Sequence, residues 1–204
     1  MLQQAINRVT SEVVSVPTEI ARDALYRAVK DFAYHTGVIE HSLTIILDRE
    51  QTDYTLHLPE DMRLSLVEEL YLNDRRQRSV DGFRPVRALA PRVAFRVKTY
   101  VPPVLWIVNI GPAVDGKEVE LTCRLEPETL EAVPDNVWAK YGGTVHYGAL
   151  AILYGIPSRP WSAPAYAAQH RQDYTALRAR ARQERARGGS QHDYPMHMPK
   201  ITRR

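Results

Sequence analysis

Cysteine is nearly absent from this chain, and so are long apolar runs. The 204 residues include a single cysteine, Cys123, which by itself can form neither an intramolecular disulfide nor a thiolate zinc site. No eighteen consecutive apolar residues occur, and the first ten residues lack the basic and apolar stretches of a secretory signal. We therefore expect a soluble protein that is not secreted and whose fold depends on the burial of apolar side chains.

Motifs of known enzyme chemistry are missing as well. The sequence has no phosphate-binding glycine loop, no HExxH and no Gly-x-Ser-x-Gly. Glu68 and Glu69 are adjacent in a predicted strand, where strict alternation points them to opposite faces and so excludes a catalytic acid pair. His192, Asp193 and His197 lack the spacing that defines a metal geometry. We expect no enzymatic activity, no metal site and no cofactor.

Basic residues are concentrated at the carboxyl end. Between Arg171 and Arg204, nine lysines and arginines stand against three acidic residues, so this segment carries +6 and the remainder of the chain −3. Such a segment suits an acidic partner, either nucleic acid or an acidic protein groove, and is equally typical of a solvated helix end. Its arginines would also favour a helix dipole. The basic-helix candidates are Arg178, Arg180, Arg182, Arg185 and Arg187.

Helical periodicity marks both halves of the chain. Apolar stripes predict helices over Pro17–Thr36, with Gly37 as its cap, over Pro134–Gly155 and over Ala163–Arg187. Residues 2–14 predict a shorter helix or an extended arm. In the last long helix the arginines are expected to face outward. Its predicted apolar side comprises Tyr166, Ala167, His170, Tyr174, Leu177 and Ala181.

Short β-prone segments lie between the first two long helices. Residues 42–47 and 53–58 predict a hairpin around a turn at 48–52. Several short strands separated by turns favour a β-sandwich or a curled sheet. The further strand candidates are residues 64–72, 75–80, 92–101, 104–110 and 117–125.

Several runs in both halves carry a family resemblance. The carboxyl half contains VPDNVWAKYGGTVHYGALAILYG (133–155), then the turn IPSRPW (156–161) and a long basic helix. The amino half contains the helix ALYRAVKDFAYHTG (24–37), followed by the predicted hairpin and the turn LPED (58–61). This order resembles the head-tail adaptor, or head-to-tail connector, proteins of tailed bacteriophages over residues 17–189. Among these, the podophage-like tail tubular or adaptor proteins, which have a fuller β-domain, resemble this chain more.

Pattern and resemblance together imply an α+β fold. We expect an antiparallel helical bundle with an inserted β-sandwich-like domain and an extended C-terminal arm. The bundle would comprise residues 1–37 and 133–187, the β-domain residues 38–132, and the arm residues 188–204.

The resemblance also implies a structural virion protein without enzymatic activity. Such adaptors form a ring of about twelve subunits that binds the portal protein and connects the capsid to the tail nozzle or other tail components. Genomic DNA passes through the channel of the ring, for which the slightly negative body of this chain is suitable. The resemblance places the protein in the neck of the virion after assembly in the host cytoplasm, with no membrane involved.

The carboxyl arms of these adaptors commonly bind the portal. We therefore expect residues 191–204 to dock on the portal or on a neighbouring subunit. The expected apolar anchors are Tyr194, Pro195, Met196, Met198 and Ile201, and the expected charged contacts are Lys200, Arg203 and Arg204. The alternative function is a DNA-binding module that uses the basic C-terminal helix.

Overall fold

The computed structural model describes residues 1–73, 75–79, 93–108, 112 and 114–188. Within these residues the chain forms four helices and eight strands, which confirms the predicted α+β class. The helices are α1 (Leu2–Glu12), α2 (Thr18–Thr36), α3 (Asp135–Tyr154) and α4 (Pro164–Gly188). The strands are β1 (Glu40–Ile46), β2 (Asp53–Thr55), β3 (Met62–Leu72), β4 (Arg75–Arg76), β5 (Arg78–Ser79), β6 (Ala94–Tyr100), β7 (Pro103–Val108) and β8 (Glu118–Pro127).

The end of α2 is defined by Gly37, as the sequence predicts. Gly37 has a left-handed φ of 65°, and its N–H donates to the carbonyl oxygen of Ala33 at 2.8 Å. A Cβ atom at this position would lie 2.7 Å from Cδ of Arg124. The backbone conformation therefore favours glycine, and a larger residue would also displace the side chain of Arg124.

Helix α3 contacts each of the other three helices. Gly148 on α3 allows this close approach, because a Cβ atom there would lie 2.9 Å from the ring of Tyr174 on α4 and 3.0 Å from Cβ of Ala28 on α2. On another side of α3, the buried His146 lies 2.7 Å from Glu12 of α1 (Nε2 to Oε2). Burial lowers the pKa of His146, and the neighbouring carboxylate only partly offsets that effect.

Two four-stranded sheets lie between α2 and α3 in the sequence. The first has the order β1-β8-β3-β4 and is antiparallel. The second has the order β2-β7-β6-β5 and is antiparallel except that β5 runs parallel to β6. Buried apolar residues of both sheets and of the helices belong to one continuous cluster.

The predicted hairpin of residues 42–47 with 53–58 is wrong. β1 pairs with β8 and β2 pairs with β7, so the two segments belong to different sheets. The hydroxyl of Tyr54 holds the connection between them through hydrogen bonds with the backbone of Asp48 and Gln51. A two-stranded hairpin has little apolar surface to bury, whereas β7 and β8 offer buried faces to both segments.

The other predicted strands agree better with the structure. The candidates at 64–72, 92–101, 104–110 and 117–125 correspond to β3, β6, β7 and β8 as far as their residues are described. The candidate at 75–80 corresponds to the two short strands β4 and β5. Among the described helices, none combines the length and the apolar character needed to cross a bilayer.

Candidate functional site

The predicted functional residues fall into two sets, an arm and a basic helix. Gly188, the first residue of the predicted arm, is the last residue of α4. The rest of the arm lies outside the described residues, and so do all its candidate contacts: Tyr194, Pro195, Met196, Met198, Lys200, Ile201, Arg203 and Arg204. The same holds for His192, Asp193 and His197. The five arginines of the basic helix all lie on α4. In the described part of the chain, no three His, Cys, Asp or Glu side chains are grouped so that they could hold a metal ion.

Arg178 points into the molecule and binds α2. Its Nη1 lies 2.5 Å from Oδ2 of Asp31, and its guanidinium lies over the ring of Tyr174 at 5.3 Å. The hydroxyl of Tyr174 donates to the same carboxylate oxygen at 2.6 Å and lies 3.0 Å from the carbonyl oxygen of Ala28. Three side chains thus attach the middle of α4 to α2.

Replacing Tyr174 with phenylalanine tests this attachment. Burial and the hydrogen bond to Asp31 raise the pKa of Tyr174 above its ordinary value. Its neutral form therefore stabilises the fold fully below the unfolded-state pKa of about 10, and this contribution is lost as the pH rises further. We expect Tyr174→Phe to lower the free energy of unfolding by about 1 kcal/mol at neutral pH. Above pH 10, that free energy should decline less steeply in the variant than in the unmodified chain.

Urea denaturation across pH 7 to about 10.5 measures both effects. Tyr34→Phe, at an exposed tyrosine of α2, is the matched control for loss of a hydroxyl. Equal losses of stability in the two variants, or parallel pH profiles for Tyr174→Phe and the unmodified chain, would contradict the prediction.

Arg185 binds the first sheet. Its Nε donates to Oε1 of Glu40 at 2.6 Å, and its Nη2 donates to Oε2 of Glu68. Arg124 of β8 donates to the other oxygen of Glu68. We refer to Glu40, Glu68, Arg124 and Arg185 as the Glu68 cluster. Because its members come from β1, β3, β8 and α4, the cluster joins the end of the helix to three strands.

The Glu68 cluster is only partly open to water. The side chains of Arg185 and Glu68 are 20% and 17% exposed. Burial alone would raise the pKa of Glu68, but the hydrogen bonds from Arg124 and Arg185 outweigh it and hold the pKa below its ordinary value. Burial alone would lower the pKa of Arg185, but Glu68 and Glu40 outweigh it in the same way and raise it. Both groups are therefore charged at neutral pH.

A β-bulge directs Glu68 toward its partners. The register between β3 and β8 shifts between Val67 and Glu69, so Glu68 has no opposite residue on β8. Glu68 is the extra residue of this bulge. Bulges commonly change the direction of a side chain, and here the side chain of Glu68 reaches Arg124 and Arg185. The register shift interrupts the strict alternation on which the prediction for Glu68 and Glu69 rests.

The prediction that the arginines of the last helix face outward is wrong for Arg178 and Arg185. Ala167, Tyr174 and Ala181 are buried at intervals of seven residues. Arg178 and Arg185 follow Tyr174 and Ala181 by four residues, so they lie on the same stripe of the helix. The spacing was a usable signal for their inward direction. Their acidic partners could not be identified in this way, because Asp31, Glu40 and Glu68 lie on three other elements.

The remaining arginine candidates of α4 are exposed. The predicted apolar side is also wrong at Tyr166, which is 63% exposed. Arg180 pairs with Glu184 across one turn at 3.0 Å, and Arg187 is exposed in the last turn. Arg182 is exposed and makes no ion pair with any residue that the structure describes. It lines a groove of about 450 Å³ between α2 and α4, together with His35.

The arginines of α4 therefore divide into two that are bound to other elements and others that are exposed. The charge of Arg178 is paired with an acidic side chain of α2, and that of Arg185 with acidic side chains of the first sheet. The exposed positive charge of the groove comes from Arg182. No protein-family model matches this chain, and no curated protein matches it.

Proposed function

We propose that this protein is a head-tail adaptor, a structural virion protein whose copies form a ring between the portal and the tail. The observation that carries the proposal is the attachment of α4 along its whole length, ending in the Glu68 cluster. A subunit that connects a capsid to a tail must be stiff, and its C-terminal arm must begin at a defined point. The attachment of α4 meets both needs.

The attachment of α4 has three parts. Near its start, the N–H of Ala163 donates to the carbonyl oxygen of Tyr154 at 3.0 Å, which links the helix to the end of α3. Tyr174 and Arg178 attach its middle to α2, and Arg185 attaches its last turns to the first sheet. With 25 residues, α4 extends over about 37 Å.

The finer architecture belongs to the same proposal. The four helices would form the antiparallel bundle (1–37 and 133–187), and the two sheets would form the sandwich-like inserted domain (38–132). The arm (188–204) would leave from the end of α4, beside the Glu68 cluster, and bind the portal or a neighbouring subunit. Ring symmetry would repeat each modest contact many times and so add to the avidity of the assembly.

The mass of the assembled protein tests the proposal. We expect native mass spectrometry of the purified chain, alone or mixed with the portal protein of the same virus, to show a closed ring of about twelve copies. Electron microscopy of that species should show an axial channel. The same mixture made with a chain that ends at Arg187 should lose the attachment to the portal while its circular dichroism stays unchanged.

Two results would contradict the proposal. One is undiminished attachment of the shortened chain, which would remove the role of the arm. The other is a chain that stays monomeric or dimeric in both mixtures. If that monomer or dimer also bound duplex DNA with an affinity that falls steeply with salt, the DNA-binding alternative would be favoured.

A further inference from the structure

The exposed face of the first sheet carries glutamates that have no cationic partner among the described residues. Glu120 lies opposite Thr44, and Glu118 lies opposite Ile46 at the end of the strand pair β1–β8. Both glutamates are exposed, and neither makes an ion pair with a described residue. Ile46 is 63% exposed on the same face. This acidic face therefore combines two glutamates, unpaired within the described part of the chain, with an exposed apolar side chain.

The groove between α2 and α4 has the complementary character. The positive charge of Arg178 is balanced by Asp31, whereas that of Arg182 is exposed and unbalanced among the described residues. Two other lining residues, Ala179 and Ala186, are small. Small side chains leave space for an apolar group of a partner beside the charge of Arg182.

The chain already uses this kind of contact internally. Arg185 is one turn beyond Arg182 on α4, and it binds Glu40 and Glu68 of the first sheet. An arginine of α4 on a glutamate of this sheet is thus compatible with the geometry of both elements. The acidic face continues along β1 and β8 beyond the reach of Arg185, so its further glutamates are available to another copy.

We propose that the groove between α2 and α4 of one copy binds the acidic face of the first sheet of a second copy, with Arg182 on Glu120 and Ile46 against Ala179. This inference rests on the proposed ring, for which it names the contact between neighbouring subunits. The groove and the acidic face are different surfaces of one chain, so the contact is heterologous and can repeat from copy to copy until the ring closes.

A charge exchange tests the contact. We expect Arg182→Glu alone, and Glu120→Arg alone, each to raise the concentration for half-maximal assembly by about tenfold or more, because like charges then face each other. Carrying both substitutions in one chain should restore assembly. Mixing the two single variants in equal amounts should restore it as well, since each supplies the charge that complements the other.

The matched controls are Arg171→Glu and Glu60→Arg, which make the same charge changes at exposed positions outside both surfaces. Mass photometry of all variants at about 0.05 M and about 0.5 M salt is the readout, and the contact should weaken at the higher salt. Circular dichroism verifies that each variant is folded.

The outcomes separate this inference from the proposed function. A ring that none of the substitutions affects, or that the controls affect equally, would overturn the contact and leave the adaptor proposal intact. A dimer that follows the charge exchange would support the contact and contradict the ring. A chain that does not self-associate under any condition would overturn both.

Discussion

Replacing Gly148 with valine is expected to lower the free energy of unfolding by about 3 kcal/mol. The reason is the distance from an added Cβ atom to the ring of Tyr174 and to Cβ of Ala28, 2.9 and 3.0 Å. The ring cannot turn aside freely, because its hydroxyl is held by Asp31. The helices α2, α3 and α4 would therefore have to separate.

Gly143 provides the matched control on the same helix. A Cβ atom there would meet no atom within 4 Å. We expect Gly143→Val to change the stability by less than about 0.5 kcal/mol, since valine is not worse than glycine in a helix. Urea denaturation at pH 7 gives both values, and Gly148→Ala gives a milder variant if the valine variant does not fold. Equal effects at the two glycines would refute close packing at Gly148.

Replacing Glu68 with glutamine is expected to cost about 2 kcal/mol at pH 7. Removing one partner of a fully buried ion pair costs about 3–5 kcal/mol, and exposed pairs contribute about 0–1 kcal/mol. The Glu68 cluster lies between these cases, because the side chains of Glu68 and Arg124 are 17% and 27% exposed. Without the carboxylate, Arg124 loses its ion-pair partner, and Arg185 retains only Glu40 among the described residues.

The pH dependence identifies the carboxylate as the cause. Because the folded-state pKa of Glu68 is lowered, its contribution is present above the unfolded-state pKa of about 4.3 and is lost as the pH falls through the folded-state value. The difference in stability between the unmodified chain and Glu68→Gln should therefore be constant from about pH 7 to 5 and should shrink below pH 4.

Glu60→Gln, in an exposed turn, is the control for the loss of one carboxylate. A double-mutant cycle between Glu68→Gln and Arg185→Gln should give a coupling of about 1 kcal/mol or more. A cost that persists unchanged at pH 3, or additive effects in the cycle, would show that the carboxylate does not act through its arginines.

The helices could be predicted closely from sequence, because their signals are local. Pro17 and Gly37 bound α2 within a residue of its observed ends, and α3 and α4 begin and end near the predicted positions. Strand positions were also predictable in most cases. Strand partners were not, since the pairing of β1 with β8 joins segments separated by more than 70 residues.

The candidate site shows the same division. Its arginines were identified by their concentration on one helix. The four-residue intervals from the buried Tyr174 and Ala181 indicate that Arg178 and Arg185 point inward. Their partners depended on folding, because Asp31, Glu40 and Glu68 come from α2, β1 and β3. The bulge that re-aims Glu68 could not be inferred from alternation, which assumes an uninterrupted strand.

The positions of the helices and strands and the concentration of positive charge follow from local patterns, because periodicity, end signals and composition act over a few residues. The pairing of the strands, and the choice of arginines that are bound inside the molecule, become apparent only in the folded chain. Both outcomes depend on which distant segments bury their apolar faces together, and that choice is a property of the whole chain.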